Sequence, residues 1–406
     1  MFDFAAFSDW ASHALRWLHV IAGITWIGSS FYFLAVDLRL ARETAKSDSE
    51  EEWQIYGGSF YVVRRYPRSP PDMPNPLTWF RWESYATWAS GFILLATVYY
   101  LNANLYLIDP GIADLAPWQA IGVSIASIIV GWVIYDRICK SWIGNNTLRL
   151  LFGLTAFLVT VAWFYSSVFS GRAAFLHLGA LAATLMTANI AHIIVPNQRK
   201  IIAELGAGRL PDAALATAAR QRSIHNSYLT MPVVFMMLSP HVPFAFATQF
   251  NWAIACLVFL TGMCFRHSLN GLYARSNGTY WSWGATGFLF LVAVWLSSLG
   301  SQTARSEDTA LSTNQQRHSS APTLAQIHDI IQDHCVMCHS ANPVHETFRF
   351  APSGVVLETE AQVAAYAREI YVHAGRTNAM PPSGISFMES SERDAIIRWY
   401  EAAARH

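Results

Sequence analysis

GLTAFLVTVAWFYSS, residues 153–167, and GATGFLFLVAVWLSS, residues 284–298, decide the fold of this chain. Neither contains Asp, Glu, Lys or Arg, and each sits in an apolar run near the length, about 20 residues, that carries a helix across a bilayer core. They also share Gly, Thr, Phe, Leu, Val, Ala and a terminal Ser-Ser in the same order, which marks an internal repeat. Working outward, eight segments have this character, at roughly 12–37, 82–102, 116–136, 147–169, 173–195, 225–241, 247–267 and 281–300. The sixth is short and carries His225, Pro232 and Pro240. Two further pairs follow the first: ESYAT (83–87) with NSYLT (226–230), and LHVIAGITW (18–26) with LHLGALAAT (176–184). Three matches in one order predict an all-α membrane protein of eight transmembrane helices, built as two parallel four-helix repeats, with sites favoured where the copies meet.

Composition agrees. The chain of 406 residues is 53% hydrophobic and only 13% charged, where a soluble globular chain averages about 25% charged. Sixteen Trp and sixteen Tyr suit aromatic belts at the two membrane surfaces. A net charge of zero gives no electrostatic footprint for a nucleic acid. Residues 1–19 have no basic leader or small-residue cleavage site, so the first span is expected to stay in the membrane. Cys139, Cys256 and Cys264 read as buried thiols.

Lys and Arg gather in alternate loops. Arg39, Arg42, Lys46, Arg64, Arg65, Arg68 and Arg81 follow the first span; Arg137, Lys140 and Arg149 the third. Arg199, Lys200, Arg209, Arg220 and Arg222 follow the fifth, and Arg266 and Arg275 the seventh. The other side holds only Arg172, with Arg16 just inside span one. This bias predicts that the first set faces the cytoplasm and that both termini lie outside.

Near the C-terminus DHCVMCHS (333–340) contains C-x-x-C-H, the attachment signature of a c-type haem. The expected roles are covalent attachment through Cys335 and Cys338, proximal ligation by His339, and distal ligation by Met380 in GRTNAMPPSG, with Met388 as the fallback. TLAQIHDIIQDH (323–334) and SERDAIIRWYEAAAR (391–405), the latter opening on Ser391 as a cap, give two helices around the motif. The tail thus resembles a class I cytochrome c; a zinc or redox C-x-x-C is the other reading. Polar residues 301–322 read as a flexible linker. Three regions result: 1–300 in the membrane, 301–322 linking, and 323–406 carrying the haem. Covalent haem attachment takes place on the outer face of a bacterial inner membrane, the side the charge bias gives the tail.

Ionisable residues inside spans are expensive and read first as functional. Arg16, His19, Arg172 and His177 lie toward the outer face; Asp37, Glu83, His192, His225, Asn226 and His267 toward the inner. His19 and His177, matched in the repeat, admit three readings: ligands of a b-type haem, substrate contacts, or hydrogen bonds between helices. Glu83 is either a helix start or a proton acceptor. Asn189 and His192, three apart, are expected on one helix face. Asp136 and Arg137 read as an interfacial pair. Tyr85, Thr87, Tyr228 and Thr230 repeat together and supply hydroxyls.

LRWLHVIAGITWIGSSFYFLAVD, PLTWFRWESYATWASG and FLHLGALAATLMTANIAHIIVPNQRK, followed by the CVMCH tail, resemble the membrane-bound, cytochrome c-coupled urate oxidases (urate hydroxylases). The resemblance implies oxidation of urate to 5-hydroxyisourate in purine catabolism. Electrons would pass to cytochrome c without hydrogen peroxide, and then to a soluble or membrane cytochrome c and a terminal oxidase. It carries no residue roles. Those follow from chemistry: an anionic purine wants a cation or a helix N-terminus, and a base near neutral pH. Glu83, His192, Asn226 and His19 are the candidate catalytic set. His19 and His177 are the candidate haem b or electron-transfer pair. Two other functions stay open, a non-catalytic membrane anchor for a cytochrome beside a quinol or oxidase partner, and a transporter with a fused cytochrome.

Overall fold

The computed structural model describes residues 4–43, 51–66, 76–312 and 321–404. Lys46, Arg68 and the linker residues 313–320 lie outside them. Helix α1 (Phe4–Glu43) is far longer than the span expected within it. It is followed by an antiparallel hairpin, β1 (Glu51–Tyr56) and β2 (Ser59–Arg64), in which Glu51 faces Arg64. Gly57 and Gly58 turn the hairpin with φ of 57° and 80°, values that a two-residue turn requires and glycine adopts without strain. The alternation in EWQIYGGSFYVV was its signal, and the spacing argument passed over it because it sits in a loop.

Helix α2 (Trp82–Leu94) runs into a π-helical turn, Leu95–Tyr100, and then a short α3 (Ala103–Tyr106). Helices α4 (Pro117–Lys140) and α5 (Thr147–Ser166) follow. Next come α6 (Gly171–Asn189), a second π turn at Ile190–Ile194, and α7 (Val195–Gly206). The bundle closes with α8 (Ala213–Leu238), a single-turn α9 (Pro243–Phe246), α10 (Asn251–Tyr273) and α11 (Trp281–Ser312). Side-chain caps set the starts. Asn146 accepts from the amides of Leu148 and Arg149 at 3.0 and 3.1 Å, and Asp212 from Ala214 at 2.9 Å.

Six of the described helices are long and apolar enough to cross a membrane. The second and sixth expected spans are not among them. The second changes from α to π geometry at Leu95, and the sixth begins at Ala213, so that Arg220, Arg222 and His225 fall within the helix. Two expected loop charges are also buried. Arg222 and Arg266 are buried inside α8 and α10. Helix α11 continues through residues expected to be linker, as far as Ser312.

Burial is inverted relative to a water-soluble protein. Trp17, Phe152, Trp163, Phe288 and Trp295 are exposed around the bundle, while Arg222, Arg266, His177, Asn189 and Asn226 are buried within it. Between helices in lipid, close packing must replace the hydrophobic drive, and small residues permit it. A Cβ on Gly131 would lie 2.8 Å from Leu181, one on Gly179 2.7 Å from Met236, and one on Gly262 2.7 Å from the ring of Pro232. Pro232, inside α8, is thus accommodated by a gap in α10.

The tail consists of α12 (Leu324–His334), α13 (Glu360–Ala365), α14 (Ala367–Ile370), a π turn at Tyr371–Arg376 and α15 (Ser390–Ala403). Ile327, Ile331, Leu357, Val363, Ile370, Met388 and Ile396 form its core. Thr323 and Gln326 cap α12 reciprocally. Ser391 does not cap α15: the helix starts one residue earlier, and Glu392 takes the Glu389 amide at 2.8 Å. Glu392 also meets His334 at 3.1 Å, tying α15 to α12.

Candidate functional site

At the end of the bundle that carries the basic loops, α1, the segment before α2, the α6–α7 junction and α8 enclose a cavity of about 330 Å³. That volume suits a small molecule. Trp26, Phe33, Trp79 and Phe80 give it aromatic walls, and Gln198, Ser223, Asn226 and Thr230 give it polar points. The guanidiniums of Arg81 and Arg199 lie 5.7 and 5.8 Å from the Trp79 ring centre, so one cavity wall carries two cations on its far side. Among the described residues no Asp, Glu, His, Lys, Tyr or Cys lines it. The arrangement suits a flat, hydrogen-bonding anion: rings to stack on, amides to pair with its edges, and positive charge nearby.

Asn226 is held from behind. Its amide donates to the Met186 carbonyl at 2.9 Å, and its carbonyl accepts from Asn189 at 2.9 Å. Asn189 also donates to the Tyr135 hydroxyl at 3.0 Å, which pairs with His225 Nδ1 at 2.8 Å. The Arg222 guanidinium lies 4.9 Å from the Tyr135 ring centre and donates to Asp136 Oδ1 at 2.8 Å. Lys140 takes the other Asp136 oxygen at 2.7 Å. The expected Asp136–Arg137 pair is therefore replaced by an Arg222–Asp136–Lys140 set. Sequence reasoning missed Arg222, Trp79 and Gln198. Arg222 had a signal, since it stands one helical turn before Asn226.

Of the residues expected to act, only Asn226 lines the cavity. His192 is exposed and packs on Trp132 with ring centres 5.2 Å apart. The π turn begins directly after Asn189, and its wider winding turns His192 away from the face it was expected to share. Glu83 is half-buried in the first turn of α2 and stands outside the lining. His19 meets the Thr87 carbonyl at 3.0 Å and the Ser90 hydroxyl at 3.1 Å, which places it in the α1–α2 contact.

His177 is fully buried among Phe169, Tyr165 and Tyr99. Its Nδ1 meets the Ala173 carbonyl at 2.7 Å and its Nε2 the Ser124 hydroxyl at 2.6 Å. Both ring nitrogens are used, so neither offers a lone pair to an iron. His19 and His177 share no hydrogen-bond partner or ring contact. A b-type haem between them does not fit this arrangement.

In the tail, Cys335, Cys338 and His339 fold into one turn after α12, with the His339 amide on the Cys335 carbonyl at 2.8 Å. His339 Nδ1 donates to the Val355 carbonyl at 2.9 Å, leaving Nε2 free. Arg393 Nη1 donates to the carbonyls of Ala374 and Met380 at 2.6 and 2.9 Å, which fixes the loop bearing Met380. Met388 is 3% exposed within the tail core. Two thiols in one turn, an imidazole with one free nitrogen and a thioether on a clamped loop are a donor set that fits a covalently attached haem. A structural zinc needs four ligands, and no group of three His, Cys, Asp or Glu converges among the described residues.

A family model described as urate oxidase N-terminal matches residues 5–297, the bundle without the tail. No curated protein and no solved structure matches the chain.

Proposed function

The chain belongs to the urate oxidase N-terminal family, and from that premise we propose that it oxidises urate to 5-hydroxyisourate at the inner end of the bundle and passes the electrons to a haem c on its own tail. Urate and water give 5-hydroxyisourate, two protons and two electrons, so no oxygen is consumed and no hydrogen peroxide forms. The observation that carries this reading is the cavity beside Asn226. Urate is a flat anion at neutral pH. Trp26, Phe33, Trp79 and Phe80 offer faces to the purine, Gln198 and Asn226 offer amides to its edges, and the guanidiniums on Trp79 offset its charge.

Among the described residues no base lines the cavity. Those residues bind and orient the urate anion, and the two product protons leave through water at the cavity mouth. When bound, haem c accepts one electron at a time, so two transfers complete a turnover. Cys335 and Cys338 would attach it, and His339 and Met380 would ligate its iron. The chain is read as an eight-span protein of a bacterial inner membrane, with both termini outside and a cytochrome c and terminal oxidase downstream.

Anaerobic addition of urate to the purified protein is expected to bring up the reduced haem c band. If ascorbate reduces the haem and urate does not, the bundle has another donor and the electron-transfer anchor becomes the better account. Gln198 is exposed and bears on no described packing contact. Gln198→Met is expected to weaken urate binding about tenfold, the scale of one lost hydrogen bond, and to leave the melting temperature unchanged. Equilibrium dialysis against urate measures the first, and a thermal scan the second.

A further inference from the structure

Asn226 and the tail sit at opposite ends of the bundle, and a row of rings runs through the outer half of it. The Tyr165 and His177 ring centres are 5.7 Å apart, His177 and Tyr99 6.5 Å, and Tyr99 and Tyr106 5.8 Å. Phe169 stacks beside the row, 4.6 Å from His177 and 5.8 Å from Tyr165. Tyr99, Tyr165 and His177 are buried, and Tyr106 at the outer end is half-buried. At its inner end the Tyr165 hydroxyl accepts from Ser127 of α4 at 3.2 Å. Eight residues on, about 12 Å along the helix axis, α4 presents Tyr135, which holds Asn189 behind the cavity.

The outer end of the row meets the tail. The Cys338 thiol lies within electrostatic range of the Tyr106 phenol, and Arg172 sits 6.0 Å from its ring centre. The tail is docked here by the loop that bears Met380. Ala379 packs against the bundle core, and a Cβ on Gly384 would come within 2.6 Å of the Asn104 carbonyl. Gly384 therefore lets the loop rest directly on α3. His373, whose carbonyl accepts the Met380 amide at 2.9 Å, faces the same cation.

We propose that Tyr165, His177, Tyr99 and Tyr106 are the bridge by which electrons leave the bundle, and that docking of the Met380 loop on Asn104 holds the haem-bearing face of the tail over the end of that bridge. This rests on the urate reading above. For each transfer urate loses one electron and the tail haem gains one. The rings only couple donor to acceptor, and no ring atom gains or loses a proton. His177 is a positioning residue: its bonds to Ala173 and Ser124 fix its ring between Tyr165 and Tyr99. This is the reason a histidine unable to bind iron stands at this point.

The test compares Tyr99→Leu and Tyr106→Leu with Tyr99→Phe and Tyr106→Phe, by stopped-flow reduction of the haem with urate and, separately, with ascorbate. Urate binding is measured by dialysis on the same samples. The Leu variants are expected to slow reduction by urate at least tenfold, with reduction by ascorbate and binding of urate unchanged. The Phe variants are expected to keep the rate. Docking is tested without turnover by Gly384→Val, whose Cβ would press on the Asn104 carbonyl: limited proteolysis of the tail in membranes is expected to speed up at least tenfold, with haem content unchanged. Wild-type rates in the Leu variants overturn the bridge while the urate reading stands. So does a loss in the Phe variants as large as in the Leu variants, since the hydroxyls rather than the rings would then matter. Unchanged proteolysis in Gly384→Val overturns the docking. If wild-type haem is reduced by ascorbate and never by urate, the urate reading falls and the bridge with it.

Discussion

Cys335→Ala combined with Cys338→Ala is expected to abolish covalently bound haem and, with it, urate oxidation in the absence of an added acceptor. The two thiols are the only covalent anchors in the turn after α12, and His339 with Met380 would be left to hold a haem by coordination alone. A tail whose core rests on a handful of residues such as Ile327, Ile331 and Ile396 depends heavily on such a staple. Haem staining of a denaturing gel reads the first effect, expected as complete loss. Urate consumption reads the second. Urate binding should persist, because the cavity lies wholly within the bundle. Haem that survives denaturation in this variant would remove the attachment reading. Undiminished consumption without an acceptor would show that the tail is not where the electrons go.

The second large effect concerns stability. Asp136→Ala is expected to destabilise the bundle by about 3–5 kcal/mol, the usual consequence of leaving one member of a buried ion pair alone. Arg222 is 2% exposed, its guanidinium lies 4.9 Å from the Tyr135 ring centre, and its Nη1 has no hydrogen-bond partner among the described residues. Without Asp136 the cation would stand unpaired beside the network that positions Asn226. Arg222→Met should cost less, because Asp136 keeps Lys140 at 2.7 Å. The order of the two matters more than either value. Thermal unfolding in one detergent, with both variants side by side, gives it, and equal losses would contradict the asymmetry.

Much of the architecture was legible because lipid imposes a simple rule: long uncharged runs become helices. Runs such as 153–166 and 284–298 lie in α5 and α11. The departures have local causes. Hydropathy measures average composition, so it placed Arg222 and Arg266 in loops, although a helix can carry a buried arginine where another helix supplies Asp136 or Ser227. Helical spacing assumes α geometry, so it put His192 beside Asn189 when a π turn separates them. The cavity was half visible. Asn226 stood out as polar within a span, but Trp79 and Gln198 lie at helix ends, where aromatic and polar residues attract no notice. The likeness of the sequences around His19 and His177 did not bring the two to a shared partner.

Cavity and tail lie at opposite ends of α2: Trp79 and Phe80 precede its start, and Asn104, beyond its finish, bears the tail. In the proposed orientation each electron therefore travels outward through most of the membrane's electric field. With the cell interior negative that movement is downhill, and each 100 mV contributes about 2.3 kcal/mol per electron that crosses the full field. Turnover then becomes an electrical event, one that a charged membrane assists and that itself draws the membrane potential down.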